Sequence, residues 1–549
     1  MRAIYVVGLI FAVVALWAAT LGTPPSLRAV FTESIDGKPR SVAEKRAMTV
    51  AFVERMLQEQ PIPGYSLSVV YRNETVLAQG FGTKQYGNPN TSVTASTLFQ
   101  IGSYTKTFTA LGIAKLVDDG LVGWNDRVKQ HLPWFQLMDK YAEAHTTLAD
   151  LLSMNSVFGA HEGDIPQLFG VFASERDLVE HLAFLNTTRS FRDGYAYSNM
   201  NFVILGQVIQ HVTNQTWFEF LKATYLEPLG MNETFGQVWD IPHRADAISS
   251  GHIVCGNHVL GPFQPFNATM VALSPRNNRS ADGSILSSAN DMAKFSRFLL
   301  SHGHGILKSP NVVQDMTTGH TVIASHIDGV SSAGYTFHRD GNVQAYGYGI
   351  DTVGTLMYGY DYFDKDGDTP AFAMRTGFIP TEGLAVTLNA NAEPTQDDGF
   401  TYVVSRMRTY ILGIFLDISV DELEATWQAA LARSGEIPAD EVQCDAHYFD
   451  GEPWANVAIA SDKETNLVGA YEFTESRGYN GKVTITKPHD QQIMQWGAYT
   501  KPLLATSRDA TEFIWALELG AMTFTVDVTW SNASKPSLSI AGMELLKVE

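Results

Sequence analysis

The sequence predicts a large mixed α/β domain followed by a small all-β domain. First, the chain has 549 residues, more than the roughly 250–300 residues that one hydrophobic core usually serves. Second, residues 41–415 alternate strand-like segments with amphipathic helical segments such as 107–118. Third, residues 466–549 contain short strand-like segments such as 482–486 and no helical period. Residues 416–465, between the two, are interpreted as a linker.

The composition excludes several classes of protein. Hydrophobic residues make up 45% of the chain and charged residues 17%, values typical of a globular protein rather than of disorder or a coiled coil. The 38 Lys and Arg against 58 Asp and Glu give a net charge of −20, so no nucleic-acid partner is expected. Two cysteines, Cys255 and Cys444, are too few for a disulfide scaffold, and the sequence leaves their pairing open.

The N-terminus has the layout of a signal peptide. Arg2 precedes the apolar run 4–16, and small residues follow that run. Residues 1–22 are therefore assigned to a signal peptide, which predicts a secreted, extracellular protein. The alternative is an uncleaved anchor, because apolar character over 4–21 comes close to the length of a membrane span. No later stretch is long and apolar enough, so no stable span is expected after cleavage.

Eight N-x-S/T sequons follow the predicted signal peptide. One sequon is a weak signal, but eight behind a signal peptide predict a glycosylated eukaryotic secreted protein. The asparagines are Asn73, Asn90, Asn186, Asn214, Asn232, Asn267, Asn278 and Asn532.

Ser103-Tyr-Thr-Lys106 is the first of three patterns that carry chemistry. It opens the amphipathic segment 107–118, and residues three apart on a helix share a face. A serine hydroxyl needs a neighbouring base to become a nucleophile, and a desolvated lysine can accept its proton. The spacing is more often a helix cap beside a solvated lysine. Because it occurs only here in the chain, we favour a Ser103 nucleophile assisted by Lys106.

Tyr197-Ser-Asn199 is the second pattern, and it precedes the apolar helical segment 202–212. Side chains two residues apart in extended backbone point to the same side. Tyr197 can relay a proton to a leaving group, and Asn199 can hydrogen-bond a substrate amide. The Y-x-N spacing is weak alone, because 71–73 and 86–88 match it too.

Lys365-Asp-Gly367 is the third pattern and the only K-x-G of the chain. On a strand, Lys365 and Gly367 face the same way. The glycine then lets a substrate lie close to the backbone, and the lysine directs positive charge into the site. Alone, the tripeptide is more typical of a polar turn with a solvated lysine.

Taken in chain order, these patterns resemble the motifs of serine β-lactamases and penicillin-binding proteins. Segment 97–110 is similar to their nucleophile region, and class C β-lactamases with related esterases and D-aminopeptidases are the most similar branch. Counting back from 380–383 places 365–367 at the family's third element, usually K-T-G or H-x-G, whereas 375–377 falls inside the following strand. The resemblance covers about 45–415.

The resemblance implies an antiparallel sheet flanked by helices plus a helical lobe, and an acyl-enzyme reaction on a small-molecule ester or amide. Ser103 would attack the carbonyl, with Lys106 and Tyr197 moving the proton. Backbone N–H groups of Ser103 and Asp368 would form the oxyanion hole. The implied substrate-binding residues are Asn199, Lys365, Gly367 and Asp368. Residues 466–549 resemble the lipocalin-like β-barrel appended to some members.

Two departures from the family pattern bear on function. Asp366 stands where relatives often carry a hydroxyl, and Asp368 follows the glycine. Two acids there should repel the carboxylate of a β-lactam, although Lys365 partly offsets them. We therefore expect poor β-lactam turnover, and an uncharged ester, an amide or a substrate with a free amine fits better. Segment 151–158 also lacks the His and Gly of many relatives; it is interpreted as structural, and its divergence adds a little weight to an inactive member.

A second interpretation is a catalytically weak or inactive member that serves as an acidic extracellular or shell-matrix glycoprotein. The net charge of −20, the eight sequons and the two acids favour it. Such a chain resembles acidic shell-matrix members of mollusc origin and would associate with extracellular matrix or calcium mineral. A working enzyme must acylate Ser103, whereas a matrix protein need only bind. No cofactor and no metal site are expected, since 364–368 lacks the spacing and distal Glu of a calcium loop.

Overall fold

The computed structural model describes residues 39–266, 280–323, 331–336, 343–394, 401–517, 521–531 and 535–548. The predicted signal peptide and the sequons at Asn267, Asn278 and Asn532 lie outside these residues. Across the described part of the chain, no helix combines the length and the apolar character needed to cross a membrane.

The strands of the large domain form one central sheet and two small ones. In chain order they are β1 Gly64–Tyr71, β2 Glu74–Gly82, β3 Phe99–Gln100, β4 Gly251–Cys255, β5 His258–Phe263, β6 Leu286–Ser287, β7 Thr321–Val322, β8 Ala345–Tyr346, β9 Thr352–Met357, β10 Tyr360–Asp364, β11 Gly367–Thr369, β12 Phe372–Ile379, β13 Leu384–Ala390 and β14 Glu393–Pro394. The central sheet is antiparallel, with the order β2-β1-β13-β12-β10-β9-β8-β7, and β11 pairs with β12 beside this path. β3 pairs with β6, and β14-β4-β5 form a third sheet.

The longer helices cover both faces of the central sheet. They are α1 Val42–Glu59, α2 Thr105–Asp118, α3 Asn199–Thr213, α4 Ala289–Leu300, α5 Thr401–Phe415 and α6 Val420–Ser434. The shorter helices are Val128–His131, Lys140–His145, Leu148–Leu152, Asp164–Leu168, Glu175–His181, Trp217–Leu221, Glu227–Leu229, Arg244–Ala247, Ser280–Gly283, Asn311–Met316, Ala446–Phe449, Ser461–Leu467 and Arg477–Asn480. Single-turn 3-10 or π segments are Gly102–Tyr104, Leu182–Phe184, Lys222–Leu226, Val238–Asp240, Pro380–Glu382 and Pro488–Asp490.

Side-chain alternation along β13 divides the large domain into two cores. Leu384, Val386 and Leu388 pack in the core formed with α1, α5 and α6, whereas Ala385 belongs to the core of the helical lobe. Because helices cover both faces, every residue of β13 is buried, including the polar Thr387 and Asn389. The predicted antiparallel sheet flanked by helices, with a helical lobe, is confirmed.

α1 shows how local sequence sets a helix boundary. Ser41 and Glu44 form a capping box, in which the Ser41 side chain accepts from Glu44 N and the Glu44 side chain accepts from Ser41 N. Phe52 and Met56 of α1 are buried, and the Phe52 ring stacks on Tyr410 of α5 with centroids 4.1 Å apart. α1 and α5, from opposite ends of the large domain, therefore close one face of the sheet together.

The segment between the two domains contains an ordered helix, α6. Leu423 of α6 is buried in the large domain's core, and the Trp427 ring lies edge-on to Phe52 at 5.8 Å. Farther along the segment, Cys444 forms a disulfide with Cys255 of β4, across 189 residues of sequence. This part of the predicted linker is thus held against the large domain, while the exact boundaries stay a prediction.

The C-terminal domain is a closed antiparallel barrel. Its strands are β15 Gly469–Phe473, β16 Lys482–Thr486, β17 Ile493–Trp496, β18 Tyr499–Pro502, β19 Leu504–Ala505, β20 Glu512–Ala516, β21 Thr523–Trp530, β22 Pro536–Ile540 and β23 Met543–Lys547. The order is β18-β17-β16-β15-β23-β22-β21-β20-β19. Only Leu503 separates β18 from β19, so the two act as one strand that pairs with β17 at one end and β20 at the other. Eight strands therefore close the barrel, as the sequence predicted an all-β, barrel-like domain.

Candidate active site

Ser103 lies on the 3-10 turn Gly102–Tyr104, directly before α2. Lys106 is in the first turn of α2, and its side chain is fully buried. Lys106 Nζ donates to Ser103 Oγ at 2.9 Å and to the carbonyl oxygen of Asp282 at 2.7 Å. The prediction that Ser103 and Lys106 share one helical face is confirmed, and the lysine amine lies where it can exchange a proton with the hydroxyl.

Tyr197 lies beside this pair. Its ring centroid is 5.0 Å from Lys106 Nζ and 5.3 Å from Lys365 Nζ. Burial, followed by the charge of Asp351, raises the pKa of Tyr197 well above its usual range, and a hydrogen bond with Ser103 opposes that rise. Tyr197 is therefore a neutral phenol at neutral pH, able to donate a proton as well as to accept one.

Asn199 begins α3 and lies two residues beyond Tyr197. Its Nδ2 donates to Asp164 Oδ2 at 2.6 Å. The same carboxylate oxygen lies 3.0 Å from His161 Nδ1, and the His161 ring is 5.3 Å from the Tyr197 ring. His161 and Asp164 are site residues that the motifs did not reveal, because they belong to a segment whose sequence carries no distinguishing pattern.

Lys365 lies in the two-residue connection between β10 and β11, not on the strand that holds Gly367. Its Nζ donates to Asp351 Oδ2 and to the carbonyl oxygen of Asp366, both at 2.8 Å. The side chain is 1% exposed, so its positive charge is already paired with a carboxylate. The sequence predicted that Lys365 shares a strand with Gly367 and directs positive charge into the site. The structure places Lys365 between two strands, with its amine paired with Asp351 at the edge of the site.

Gly367 brings two backbones together. A Cβ at Gly367 would lie 2.0 Å from the carbonyl oxygen of Ile101, and a Cβ at Gly102 would lie 2.6 Å from the carbonyl oxygen of Asp368. β11 therefore runs directly against the turn that carries Ser103. The sequence predicted that this glycine lets a substrate lie close to the backbone, whereas the nearest neighbour in the structure is the nucleophile turn itself.

The two acids beside Gly367 are paired with buried arginines. Asp368 Oδ1 accepts from Arg375 Nη1 at 2.5 Å, and Asp366 Oδ1 accepts from Arg408 Nη1 at 3.3 Å. Burial raises the pKa of Asp368, and Arg375 works against that rise. Arg375 lies on β12, in the following strand as predicted. The sequence showed two acids opposed only by Lys365, and it did not reveal these arginines.

An open cleft of about 650 Å³ runs past these groups, a volume typical of small-molecule sites. The residues that line it are Ser103, Ala160, His161, Tyr195, Ala196, Tyr197, Asn199, Asp351, Lys365, Asp366 and Asp368. Lys106 lies beneath Ser103, and Gly367 lies behind it against the nucleophile turn. The structure thus brings all seven predicted catalytic and substrate-binding residues to one place.

A family model described as Beta-lactamase matches residues 49–404. The chain belongs to the beta-lactamase family. Among curated proteins, unguisins hydrolase ungD' of Aspergillus campestris is 28% identical over 444 residues, covering 76% of this chain and 78% of that protein. Protein flp of Staphylococcus aureus is 32% identical over 202 residues, covering 36% of this chain and 39% of that protein.

Solved structures share the fold of this beta-lactamase-family chain. The octameric penicillin-binding protein homologue from Pyrococcus abyssi matches with a TM-score of 0.56 and 20% identity, covering 91% of this chain and 99% of that one. D-amino acid amidase from Ochrobactrum anthropi SV3, complexed with L-phenylalanine, matches with a TM-score of 0.55 and 20% identity, over 68% and 99%. Together with the family match, they confirm the β-lactamase/transpeptidase-like fold.

The surface of this family member exposes several of the predicted glycosylation sites. The five sequon asparagines inside the described residues are all exposed: Asn73, Asn90, Asn186, Asn214 and Asn232. Their glycosylation stays a prediction. In the described ranges, no group of three or more His, Cys, Asp or Glu side chains is arranged to hold a metal ion.

Proposed function

We propose that this chain is a secreted serine hydrolase that cleaves an ester or amide through an acyl-enzyme on Ser103. The observation that carries the proposal is the 2.9 Å hydrogen bond between buried Lys106 Nζ and Ser103 Oγ at the floor of an open cleft. A serine hydroxyl becomes an effective nucleophile only beside such a base. The family's hydrolytic members support the same chemistry.

In the acylation step, Lys106 in its neutral form accepts the hydroxyl proton while Ser103 Oγ bonds to the substrate carbonyl carbon. The neutral phenol of Tyr197 then passes its proton to the leaving alcohol or amine, and the carbonyl–leaving-group bond breaks. Lys106 returns the proton that it took from Ser103 to Tyr197, so that both groups regain their starting forms. The raised pKa of Tyr197 keeps the phenol protonated at neutral pH, so the proton that this step requires is present. In the second half-reaction, Lys106 accepts a proton from water as the water oxygen bonds to the acyl carbon. The bond to Ser103 Oγ then breaks, Ser103 regains its proton, and the acid product is released.

The negative charge that develops on the carbonyl oxygen needs donors at the nucleophile turn. The backbone N–H groups of Ser103 and Asp368 are the candidates, because Gly102 and Gly367 let β11 lie against that turn. In other hydrolases, removal of one such donor lowers kcat by a factor of about 10²–10³. The close approach of the two backbones is thus as important to the proposal as the nucleophile.

The charges of the cleft favour a substrate without a carboxylate. Lys365 is paired with Asp351, so it offers little free charge to an anion. The aspartates that line the cleft are paired as well, Asp351 with Lys365, Asp366 with Arg408 and Asp368 with Arg375, so the lining has no excess of positive charge for a substrate carboxylate. Asn199 donates through its Nδ2 to the Asp164 carboxylate. The Oδ1 of Asn199 therefore points away from Asp164 and can accept a hydrogen bond from a substrate amide N–H. We therefore propose a neutral or amine-bearing ester or amide, and slow turnover of β-lactams.

Secretion is part of the proposal. The predicted signal peptide, the exposed sequons and the Cys255–Cys444 disulfide support it, because disulfides persist mainly in oxidising compartments. The alternative role as an acidic matrix glycoprotein gains no support from the site, since association with mineral or matrix has no need of a buried lysine hydrogen-bonded to a serine. We do not propose it.

The proposal is tested with matched chromogenic substrates that carry a neutral, an amine-bearing or a carboxylate-bearing acyl group. The secreted protein and its Ser103→Ala variant are compared. Turnover of the neutral or amine-bearing substrates that is lost in the variant supports the proposal. Turnover that persists in the variant, or a preference for the carboxylate-bearing member, contradicts it.

A further inference from the structure

The C-terminal barrel contacts a segment of the large domain that reaches the catalytic residues. We define this coupling segment as residues 159–172, which include the short helix Asp164–Leu168. We propose that the barrel is a positioning element of the active site, because it holds both ends of that helix and so places Asn199 and Lys106. The inference rests on the proposed function and adds a role for the barrel.

The C-terminal end of the short helix is held inside the barrel. Phe169 is fully buried and belongs to the barrel's core, with its ring edge-on to Trp496 at 4.8 Å and to Trp515 at 5.6 Å. Its carbonyl oxygen accepts from Ala498 N at 2.7 Å. Gly497 makes this contact feasible, because a Cβ there would lie 2.3 Å from the Phe169 oxygen. A residue of the catalytic domain thus completes the packing of the barrel.

The N-terminal end of the same helix is held by Tyr479. This side chain comes from the barrel's Arg477–Asn480 turn and is fully buried. Its hydroxyl donates to the carbonyl oxygen of Gly163 at 2.9 Å and lies 3.1 Å from Met200 Sδ on α3. A Cβ at Gly163 would lie 2.7 Å from the Tyr479 oxygen, so the contact depends on a glycine at that position.

Two side chains of the short helix lead from these anchors to the catalytic groups. Asp164 Oδ2 accepts from Asn199 Nδ2 at 2.6 Å. Gln167 Nε2 lies 3.4 Å from Asp282 Oδ1, and the Asp282 carbonyl oxygen accepts from Lys106 Nζ at 2.7 Å. A five-residue helix has little stability of its own, so its tertiary anchors decide where these side chains lie.

The first test compares two tyrosine variants of the full chain. Tyr479→Phe removes the hydroxyl that holds Gly163. Tyr471→Phe removes a matched buried hydroxyl that donates to the Leu467 oxygen within the barrel domain, at 2.7 Å. Rates of p-nitrophenyl ester hydrolysis are expressed per active site titrated with a fluorophosphonate. We expect kcat to fall about tenfold in Tyr479→Phe and to stay within about twofold of the wild type in Tyr471→Phe.

The second test compares two phenylalanine variants in the same way. Phe169→Leu and Phe473→Leu each remove a buried ring that contacts Trp496, but only Phe169 belongs to the coupling segment. We expect the larger loss of kcat in Phe169→Leu, about 10- to 100-fold, even where the two variants lose equal thermal stability. Equal losses of kcat within each matched pair would overturn the inference.

A double-mutant comparison separates positioning from general destabilisation. If Tyr479 acts through Asp164 and Asn199, Tyr479→Phe should change kcat by less than about twofold once Asn199→Ala is present. An unreduced loss in that background would show that Tyr479 does not act through Asp164 and Asn199, and would overturn that route of the inference. A wild-type chain that neither hydrolyses the ester nor reacts with the fluorophosphonate would contradict the proposed function instead. An active wild type with an equally active Tyr479→Phe variant would contradict the positioning role alone.

Discussion

At the scale of single residues, the pairing of Lys365 with Asp351 most affects substrate choice. In the third motif of this family member, the lysine amine is 1% exposed and bonded to a carboxylate. A charge-assisted pair of this kind leaves the lysine less free to bind a second anion. The expected weakness toward β-lactams therefore comes mainly from a lysine that is already paired with Asp351.

Asp351→Asn should release the Lys365 charge for a substrate carboxylate. We expect the rate of labelling by a fluorescent penicillin, relative to labelling by a neutral fluorophosphonate, to rise about tenfold. The matched control is Asp361→Asn, an exposed aspartate on β10 outside the cleft. An unchanged ratio in Asp351→Asn would show that Lys365 does not limit anion binding.

The sequence predicted the motif residues but not their partners. Ser103, Lys106, Tyr197 and Asn199 were found because each pair lies within three residues of sequence. Asp164 is 35 residues from Asn199, and Arg408 is 42 residues from Asp366. A single sequence carries no signal that joins such residues, so their roles appear only once the chain is folded.

At the scale of elements, the contact between β11 and the nucleophile turn defines the site. Gly367→Ala would place a Cβ 2.0 Å from the Ile101 carbonyl oxygen, so β11 must move away from Ser103. We expect acylation of Ser103 by a fluorophosphonate to slow by about 100-fold, with the circular dichroism spectrum unchanged.

The matched control for this variant is Gly283→Ala. Gly283 lies near the same turn, but a Cβ there would meet only one atom, at 4.0 Å. We expect its acylation rate to stay within about twofold of the wild type. Equal rates in Gly367→Ala and the wild type would show that the close approach of β11 is not needed for acylation.

Element types were predictable where the periodicity was strong. The segments 107–118 and 202–212, predicted as helical, lie in α2 and α3, and the strand-like segment 482–486 is β16. The short helix Asp164–Leu168 was missed because five residues carry too little periodic signal. The break between β10 and β11 was missed because it depends on the contacts of Lys365 and Asp366, not on local propensity.

At the scale of the whole molecule, folding stability should depend on the protonation of His252 in β4. His252 is fully buried, with Nδ1 2.8 Å from the Asn391 oxygen and Nε2 accepting from Tyr86 N at 3.0 Å. Burial lowers the pKa of His252 to about 4, and the bond to Asn391 opposes this. Between pH 6.5 and 4 the unfolded chain therefore binds a proton that the folded chain does not, and stability is lost as the pH falls.

The expected loss from this group is about 2 kcal/mol between pH 7 and pH 5. His252→Gln keeps a hydrogen-bond donor and an acceptor at this position but cannot titrate. Between pH 7 and pH 5 its free energy of unfolding should therefore fall by about 2 kcal/mol less than that of the wild type. Urea unfolding at the two pH values measures the difference. His211→Gln, at an exposed position on α3, is the control. An equal fall in His252→Gln and the wild type would contradict the assignment.

The two-domain organisation was predictable, because the change from mixed to all-β pattern is visible along the chain. The resemblance predicted a barrel, but not how it closes, since closure depends on β18 and β19 pairing with strands on opposite sides. The insertion of Phe169 into the barrel was not predictable either, because an apolar residue in a loop carries no mark of the core it joins. Contacts between domains are the part of this molecule that sequence patterns describe least.

The central claim is that Lys106 activates Ser103 as a nucleophile, and intact-mass spectrometry after fluorophosphonate treatment tests it most directly. We predict one adduct on the wild-type chain, none on Ser103→Ala, and formation at least about 100-fold slower on Lys106→Met. A wild-type chain that gains no adduct, or a Ser103→Ala chain that gains the same adduct at the same rate, would contradict the claim.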